Sequence, residues 1–352
     1  MADAGRPLVE TLTSDAEIAL HFSAEAELSA MQTFEVALAQ SQGALGTLSS
    51  AAVQAVDDRA GPSFRPSLDE MARGFARDGV VVPALVVALR KAVGEEHGAS
   101  VHLGATSQDA IDTGLMLRLK AVFQILDRRL GTLLGQLEAL AAEQGELFLM
   151  AQTRMQAALP FTVADKIVTW TRPLQSHRAR LARLAGDMPL QLGGPVGTGA
   201  SFGPAYASLR ADLAQRLVLH DAPPWHSDRT VILDIAQGLA LVAGTLGKIG
   251  QDVALMAQTE VAAIRLSGGG GSSAMAHKQN PVGAEVLVAL GRLCAGLSGT
   301  LAQSMIHENE RSGAAWTLEW VLLPQIAEAA GAGLAIADRL VSGARFADVS
   351  KA

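Results

Sequence analysis

Apolar residues recur at helical spacing along most of the chain. From residue 106 to 144, for example, Leu115, Leu119 and Val122 follow at steps of four and three, which predicts one long helix. The same spacing predicts long helices over 161–184, 230–266, 282–308 and 315–342, a helical stretch over 15–42, and shorter helices near 48–57, 66–76 and 81–93. Residues 190–204 form a predicted glycine-rich loop, and no segment indicates a sheet.

The composition supports helix-on-helix packing. Hydrophobic residues make up 49% of the 352 residues but aromatic residues only 4%, so the core must be built from aliphatic side chains. The long predicted helices are rich in Ala and Gly, which let helices approach closely. We predict an all-α bundle with an N-terminal helical domain at 1–104, a central long-helix domain at 105–342 and a short tail at 343–352.

Charge and cysteine content narrow the classes of function. The net charge is −7 and no long Lys/Arg block occurs, so the charge of the chain does not indicate nucleic-acid binding. The chain begins without a secretory signal and has no uninterrupted apolar run of roughly 18 residues, the usual mark of a membrane span. The lone Cys294 forms no intrachain disulfide. We expect a cytoplasmic protein with neither a membrane nor a nucleic-acid partner.

The first stretch with candidate site residues is VHLGATSQDAIDT, residues 101–113. Thr106 or Ser107 is placed to cap the following long helix, whose first free N–H groups favour an anion, with His102 nearby. A carboxylate site is one interpretation. An ordinary capping box, with an acidic residue three positions after the cap, is the simpler one from this segment alone.

The second stretch is AQTRMQAALPFTVADK, residues 151–166. Arg154 and Gln156 precede a proline that interrupts or kinks the helical pattern. An arginine offers a bidentate grip on a carboxylate. A solvated arginine at a helix end is an equally good interpretation.

The third stretch, GGGGSSAMAHKQNP at residues 268–281, lies between two long predicted helices. Several polar groups follow the glycines in this stretch: Ser272, Ser273, Lys278 and Asn280. A flexible linker does not need such a set of groups, whereas a catalytic loop does. Lysine stabilises developing negative charge. The P-loop pattern is absent and no His/Cys/Asp/Glu set has metal-ligand spacing, so we predict an acid–base enzyme without cofactor or metal.

Together the three stretches resemble the signature regions of the fumarase/aspartase superfamily, and residues 271–281 resemble its most specific signature, GSSxMPxKxN. The order TSxD, TxxQ, GSSxM is also shared, and the likeness covers about residues 15–330. Within the superfamily, LQLGGPVGTGASFG, PWHSDR and ER-x-GAAW-xx-EW are similar to the 3-carboxy-cis,cis-muconate cycloisomerase group. The chain differs from the signatures at Ala276, where proline is usual, and it ends soon after its last long helix. By comparison with the superfamily, we expect it to lack most of the usual C-terminal helical domain.

The resemblance implies a homotetramer with shared active sites and a small polycarboxylate substrate, 3-carboxy-cis,cis-muconate, interconverted with 4-carboxymuconolactone. It gives the proton transfer to Ser272, or alternatively to Ser273, and charge stabilisation to Lys278 and Asn280. Substrate binding falls to His102, Thr106, Ser107, Arg154, Gln156, Ser273, Met275 and Arg311. Two alternatives stay open: a lyase of the adenylosuccinate type, which is expected to carry a histidine where this chain has Arg154, and a non-catalytic relative.

Overall fold

The computed structural model describes residues 7–271, 275 and 278–348. The helices are α1 (Glu10–Thr13), α2 (Ala16–Ala19), α3 (Ala24–Ala44), α4 (Ser50–Ala60), α5 (Leu68–Asp78), α6 (Val82–Val93), α7 (Ser107–Gln144), α8 (Val163–Gly186), α9 (Tyr206–Leu217), α10 (Thr230–Met256), α11 (Val282–Leu301) and α12 (Gly313–Ser342). The strands are β1 (Phe148–Thr153), β2 (Gln156–Thr162), β3 (Ile264–Leu266) and β4 (Ala344–Phe346). Short 3-10 helices cover Leu20–Phe22, Gly98–Ser100, Ala200–Ala205 and Ala302–Met305.

The five predicted long helices are confirmed as α7, α8, α10, α11 and α12. The expectation that no sheet occurs is wrong, because β1 pairs with β2 and β3 pairs with β4, both antiparallel. The fourth long helix ends at Leu301 instead of residue 308, and the third ends at Met256 instead of residue 266. The chain leaves the helix there, passes through Ala262 with a φ of 45° and enters β3.

The main core lies between α7, α8, α10, α11 and α12 and consists almost entirely of aliphatic side chains. Glycines set the spacing of α10 and α11. A Cβ on Gly250 would lie 2.5 Å from the Ala284 carbonyl oxygen, and one on Gly291 would lie 3.0 Å from that of Ala243. The first contact is too short for any Cβ atom and the second is tight, so the predicted close approach of helices through small residues is confirmed.

A second core joins α3, α4, α5 and α6 to the first turns of α7 and to α9. Leu190 and Leu192 of the glycine-rich loop and Trp316 of α12 also enter it. This core fixes the loop before α7 against the N-terminal helices. The division of the chain at residues 104 and 342 stays a prediction.

In the part of the chain that the structure describes, three helices, α10, α11 and α12, are long and apolar enough to cross a membrane when length and composition alone are considered. In their most apolar 18-residue windows, 44%, 33% and 67% of the residues are buried inside the chain. These helices pack against one another in the main core. Leu241 of α10 and Leu293 of α11 are the large apolar side chains of these two helices that stay exposed in the described part of a single chain.

Candidate active site

The first motif forms the N-terminal end of α7. Thr106 is the N-cap, Ser107 begins the helix, and the predicted capping box is confirmed, with the Thr106 N–H donating to Asp109 Oδ2 at 3.0 Å. The buried Asp109 carboxylate also accepts the N–H groups of Gly193 at 2.8 Å and Gly194 at 3.0 Å. Asp109 therefore ties the helix start to the glycine-rich loop, a role that the capping pattern alone does not reveal.

Arg311 reaches the same place from the turn before α12. Its Nε donates to Gln108 Oε1 at 2.9 Å, and its second guanidinium nitrogen approaches Thr106 Oγ1 at 3.4 Å and the Pro195 carbonyl oxygen at 3.2 Å. The structure thus brings together two predicted residues, Thr106 and Arg311, that are far apart in the sequence. A guanidinium beside a helix N-terminus is a favourable site for a carboxylate.

Gln108 connects this arginine to a buried ionic cluster that the sequence analysis did not identify. Its Nε2 donates to Asp112 Oδ2 at 3.1 Å and to the His226 carbonyl oxygen at 2.8 Å. Asp112 and Glu319 both hold Arg229, with N–O distances of 2.7 and 2.6 Å. Burial lowers the pKa of the Arg229 guanidinium, but the two carboxylates raise it by more, so that Arg229 stays charged.

Replacing Arg229 with methionine is expected to destabilise the fold by about 3–5 kcal/mol, because two buried carboxylates lose their shared cation. Guanidinium chloride unfolding measures the change. Arg178→Met is the matched control, since Arg178 pairs with Asp127 through side chains that are 41% and 46% exposed, and it is expected to cost less than about 1 kcal/mol. Equal small effects of the two variants would show that the Arg229 cluster contributes little to stability.

His102 lies in the first motif, shortly before the start of α7, and pairs with a buried carboxylate. Its Nδ1 is 2.6 Å from Glu35 Oε1 of α3, and the two side chains are 13% and 1% exposed. His102 has a φ of 61°, a left-handed conformation that is uncommon for a residue other than glycine. Glu35 was not predicted as a site residue, because it occupies an ordinary position in a helical pattern.

The second motif forms a β-hairpin and not a helix end. Thr153 pairs with Gln156, and Arg154 and Met155 form a two-residue loop with φ values of 49° and 67°. Two positive φ values are typical of a type I′ turn, which usually requires Asn or Gly. With Arg-Met in these positions, the sequence does not indicate a turn. Pro160 is tolerated in the hairpin because both strands of a two-stranded sheet are edge strands.

The hairpin projects Arg154 and Gln156 outward, where both are exposed. Beneath it lies a cavity of about 440 Å³. The cavity is lined mainly by the hairpin, α8 and the end of α10, including Met150, Phe161, Lys166, Asp252 and Met256. Arg154 and Met155 contribute to its rim.

The third motif forms a loop whose ends are paired. The N–H groups of Gly270 and Asn280 each donate to the other's carbonyl oxygen at 2.8 Å. Inside the loop, the Lys278 N–H donates to the Met275 carbonyl oxygen at 3.0 Å, and both residues are exposed. Ser272, Ser273 and Ala276 lie outside the described residues.

The second and third motifs lie at the opposite end of α7 from the first. Helix α7 has 38 residues and is about 57 Å long at ~1.5 Å per residue. At its C-terminal end, Gln144 Oε1 accepts the Phe346 N–H at 2.7 Å, and Phe346 pairs with Ile264 of β3, the strand that leads into the loop. The hairpin begins at Phe148, directly after this helix end. Within one chain, the predicted site residues therefore form two separate groups.

A family model described as a lyase matches residues 16–296, well over half of the chain. The chain belongs to this lyase family, the fumarase/aspartase superfamily. The resemblance drawn from the three motifs is confirmed, as is the superfamily's bundle of long helices.

The members of this superfamily that are most similar include cycloisomerases and a lyase. The chain is 37% identical to the 3-carboxy-cis,cis-muconate cycloisomerase of Pseudomonas putida, over 87% of this chain and 74% of that protein. It is 35% identical to the nitrosuccinate lyase of Streptomyces davaonensis, over 97% of this chain and 73% of that protein. The solved 3-carboxy-cis,cis-muconate lactonizing enzyme from Pseudomonas putida matches with a TM-score of 0.90 at 34% identity, covering 98% of this chain and 78% of that one.

Proposed function

We propose that this chain is a cycloisomerase that interconverts 3-carboxy-cis,cis-muconate and 4-carboxymuconolactone. The observation that carries the proposal is the likeness to the Pseudomonas putida cycloisomerase, at 37% identity over 87% of the chain. The cluster of Thr106, Ser107 and Arg311 at a helix N-terminus supports it, because a substrate with several carboxylates needs such donors. The relatives named as cycloisomerases favour this function over an adenylosuccinate-type lyase.

The proposed reaction requires one proton transfer and no redox step. In lactonisation, a carboxylate oxygen of the substrate forms a C–O bond to one carbon of its own double bond, and the neighbouring carbon takes a proton. Ser272 donates that proton, and in the reverse direction its alkoxide removes it. Lys278 and Asn280 stabilise the aci-carboxylate that carries the negative charge in between. His102, Thr106, Ser107, Arg154, Gln156, Ser273, Met275 and Arg311 bind the substrate.

We also propose a cytoplasmic homotetramer in which each active site combines groups from different chains. The two groups of site residues at opposite ends of α7 support shared sites, because neither group alone contains both the binding cluster and the loop. The exposed apolar side chains of Leu241 on α10 and Leu293 on α11 support a subunit contact on these helices. In this arrangement, the three apolar helices bury their remaining surface against other subunits and not in a membrane.

A spectrophotometric assay tests the proposed function. Purified protein is expected to remove the conjugated-diene absorbance of 3-carboxy-cis,cis-muconate, because ring closure consumes one of the two double bonds. Nitrosuccinate and adenylosuccinate serve as alternative substrates in parallel reactions. Turnover of either of these, with no loss of the diene signal, would replace the cycloisomerase with a lyase acting on a succinyl substrate. No turnover of any of the three by a folded protein would favour a non-catalytic relative.

A further inference from the structure

We propose that Glu35 is a positioning residue that keeps His102 protonated and oriented, so that His102 binds a substrate carboxylate as a cation. This inference rests on the proposed function, in which His102 contacts a polycarboxylate. Glu35 lies on α3, outside the three signature stretches. It would therefore act on the substrate only through the histidine.

The geometry of the pair is the first support. Glu35 Oε1 is 2.6 Å from His102 Nδ1, which is a short hydrogen bond, and hydrogen bonds between ionised partners are shorter than those between neutral ones. The Glu35 side chain is only 1% exposed, and its Oε2 is buried without a hydrogen-bond partner among the described residues. A carboxylate taken so far out of water is stable as an anion only beside a cation, and the protonated imidazole supplies one. Because Nδ1 is used in this pair, Nε2 is the nitrogen left for a ligand.

The backbone around His102 is fixed from two sides. On α3, Gln42 Nε2 donates to the Leu103 carbonyl oxygen at 2.8 Å, and on α6, Arg90 donates to the Val101 carbonyl oxygen at 3.1 Å. These contacts flank His102 and hold it in its left-handed conformation. The backbone that carries the imidazole is thus fixed, four residues before the cap of α7.

The charges around the imidazole also favour the protonated form of His102. Burial lowers the pKa of His102, but Glu35 and, from α7, Asp109 raise it by more, so that the pKa lies above the usual value for histidine. Arg90 on α6 opposes this effect. Because the pKa is raised, His102 is cationic at low pH and loses its charge only as the pH rises through the raised pKa. Without Glu35, this loss of charge would occur at lower pH.

The test compares Glu35→Gln with a matched control on the same helix. Gln42→Leu removes the other side-chain contact from α3 to this segment without changing a charge near the imidazole. In protein labelled with ¹³C in the histidine rings, His102→Gln identifies the His102 signal among the eight histidines. We expect a lower His102 pKa in Glu35→Gln and an unchanged one in Gln42→Leu. In the diene assay, Glu35→Gln is expected to raise KM about tenfold at pH 7.5 and to change kcat by less than about threefold.

The pH dependence separates positioning from a general structural effect. In the unsubstituted protein, KM is expected to rise as the pH passes the His102 pKa, and in Glu35→Gln the same rise is expected to begin at lower pH. An unchanged His102 titration in Glu35→Gln, or an equal shift in Gln42→Leu, would overturn the proposal. If the protein shows no activity on the diene substrate, the proposed function fails, whereas the histidine titration still decides the role of Glu35.

Discussion

Replacing Ser272 with alanine is expected to lower kcat at least about a thousandfold, because the reaction then lacks the group that transfers the proton. Substrate binding should change little, since the binding groups at the start of α7 and at Arg311 are untouched. Stopped-flow measurement of diene loss gives kcat, and calorimetric titration with substrate gives the affinity. A large loss of kcat at nearly constant affinity is the signature of an interaction made only in the transition state.

Ser273→Ala is the matched control, because it removes an identical hydroxyl from the adjacent position. We expect Ser273→Ala to retain turnover within roughly tenfold and to weaken binding modestly. If Ser272→Ala were fully active and Ser273→Ala inactive, the proton transfer would belong to Ser273. If both variants kept full activity, the loop would have no acid–base role, and the mechanism proposed for it would be wrong.

The long helices were predictable from the sequence because each buries an apolar stripe that recurs every three to four residues. The start of α7 was predictable to within one residue, since Thr106 and Asp109 form a local capping box. Helix α9 was not predicted, although it contributes Leu209 and Leu213 to the second core. It follows the glycine-rich loop directly, and the glycines and Pro204 obscure where the helix begins.

The strands could not be predicted because their causes are not local. β3 and β4 contain three residues each and pair across about eighty positions of sequence, so that neither segment shows an alternating pattern. The β1–β2 hairpin is local, but its turn is made by Arg154 and Met155 in conformations that asparagine and glycine usually supply. Non-glycine residues held in such conformations are enriched at functional sites, which agrees with the placement of Arg154 in the signature region.

The candidate site was only partly predictable, because many of its contacts join residues that are far apart in the sequence. Motif order led to Thr106, and the ER-x-GAAW-xx-EW pattern led to Arg311; the structure brings these two residues within hydrogen-bonding distance of each other. Of the residues behind them, Glu35 lies outside every motif, and Gln108 and Asp112 lie in the first motif but have partners that are far away in the sequence. Their positions depend on which helices pack side by side, and a single sequence does not contain that information.

Because the site residues lie at opposite ends of α7, two inactive variants are expected to recover activity when they assemble into one complex. Arg311→Ala and Lys278→Ala are each expected to be nearly inactive when expressed alone. When the two variants are co-expressed and assemble together, some sites combine an intact Arg311 from one chain with an intact Lys278 from another. Random assembly is expected to restore about one quarter of the unsubstituted activity, measured as diene loss by complexes carrying both affinity tags.

Arg311→Ala mixed with Thr106→Ala is the matched control, because both substitutions lie at the same end of α7. No chain in that mixture carries an intact binding cluster, so activity should stay at the level of the single variants. Recovery in the first mixture alone means that the sites are shared between chains. If neither mixture recovers although mixed complexes form, each site is built within one chain. The loop would then have to act near the hairpin at its own end of α7, where Arg154 and Lys166 are the cations that line the cavity, and Arg311 would have no contact with the substrate.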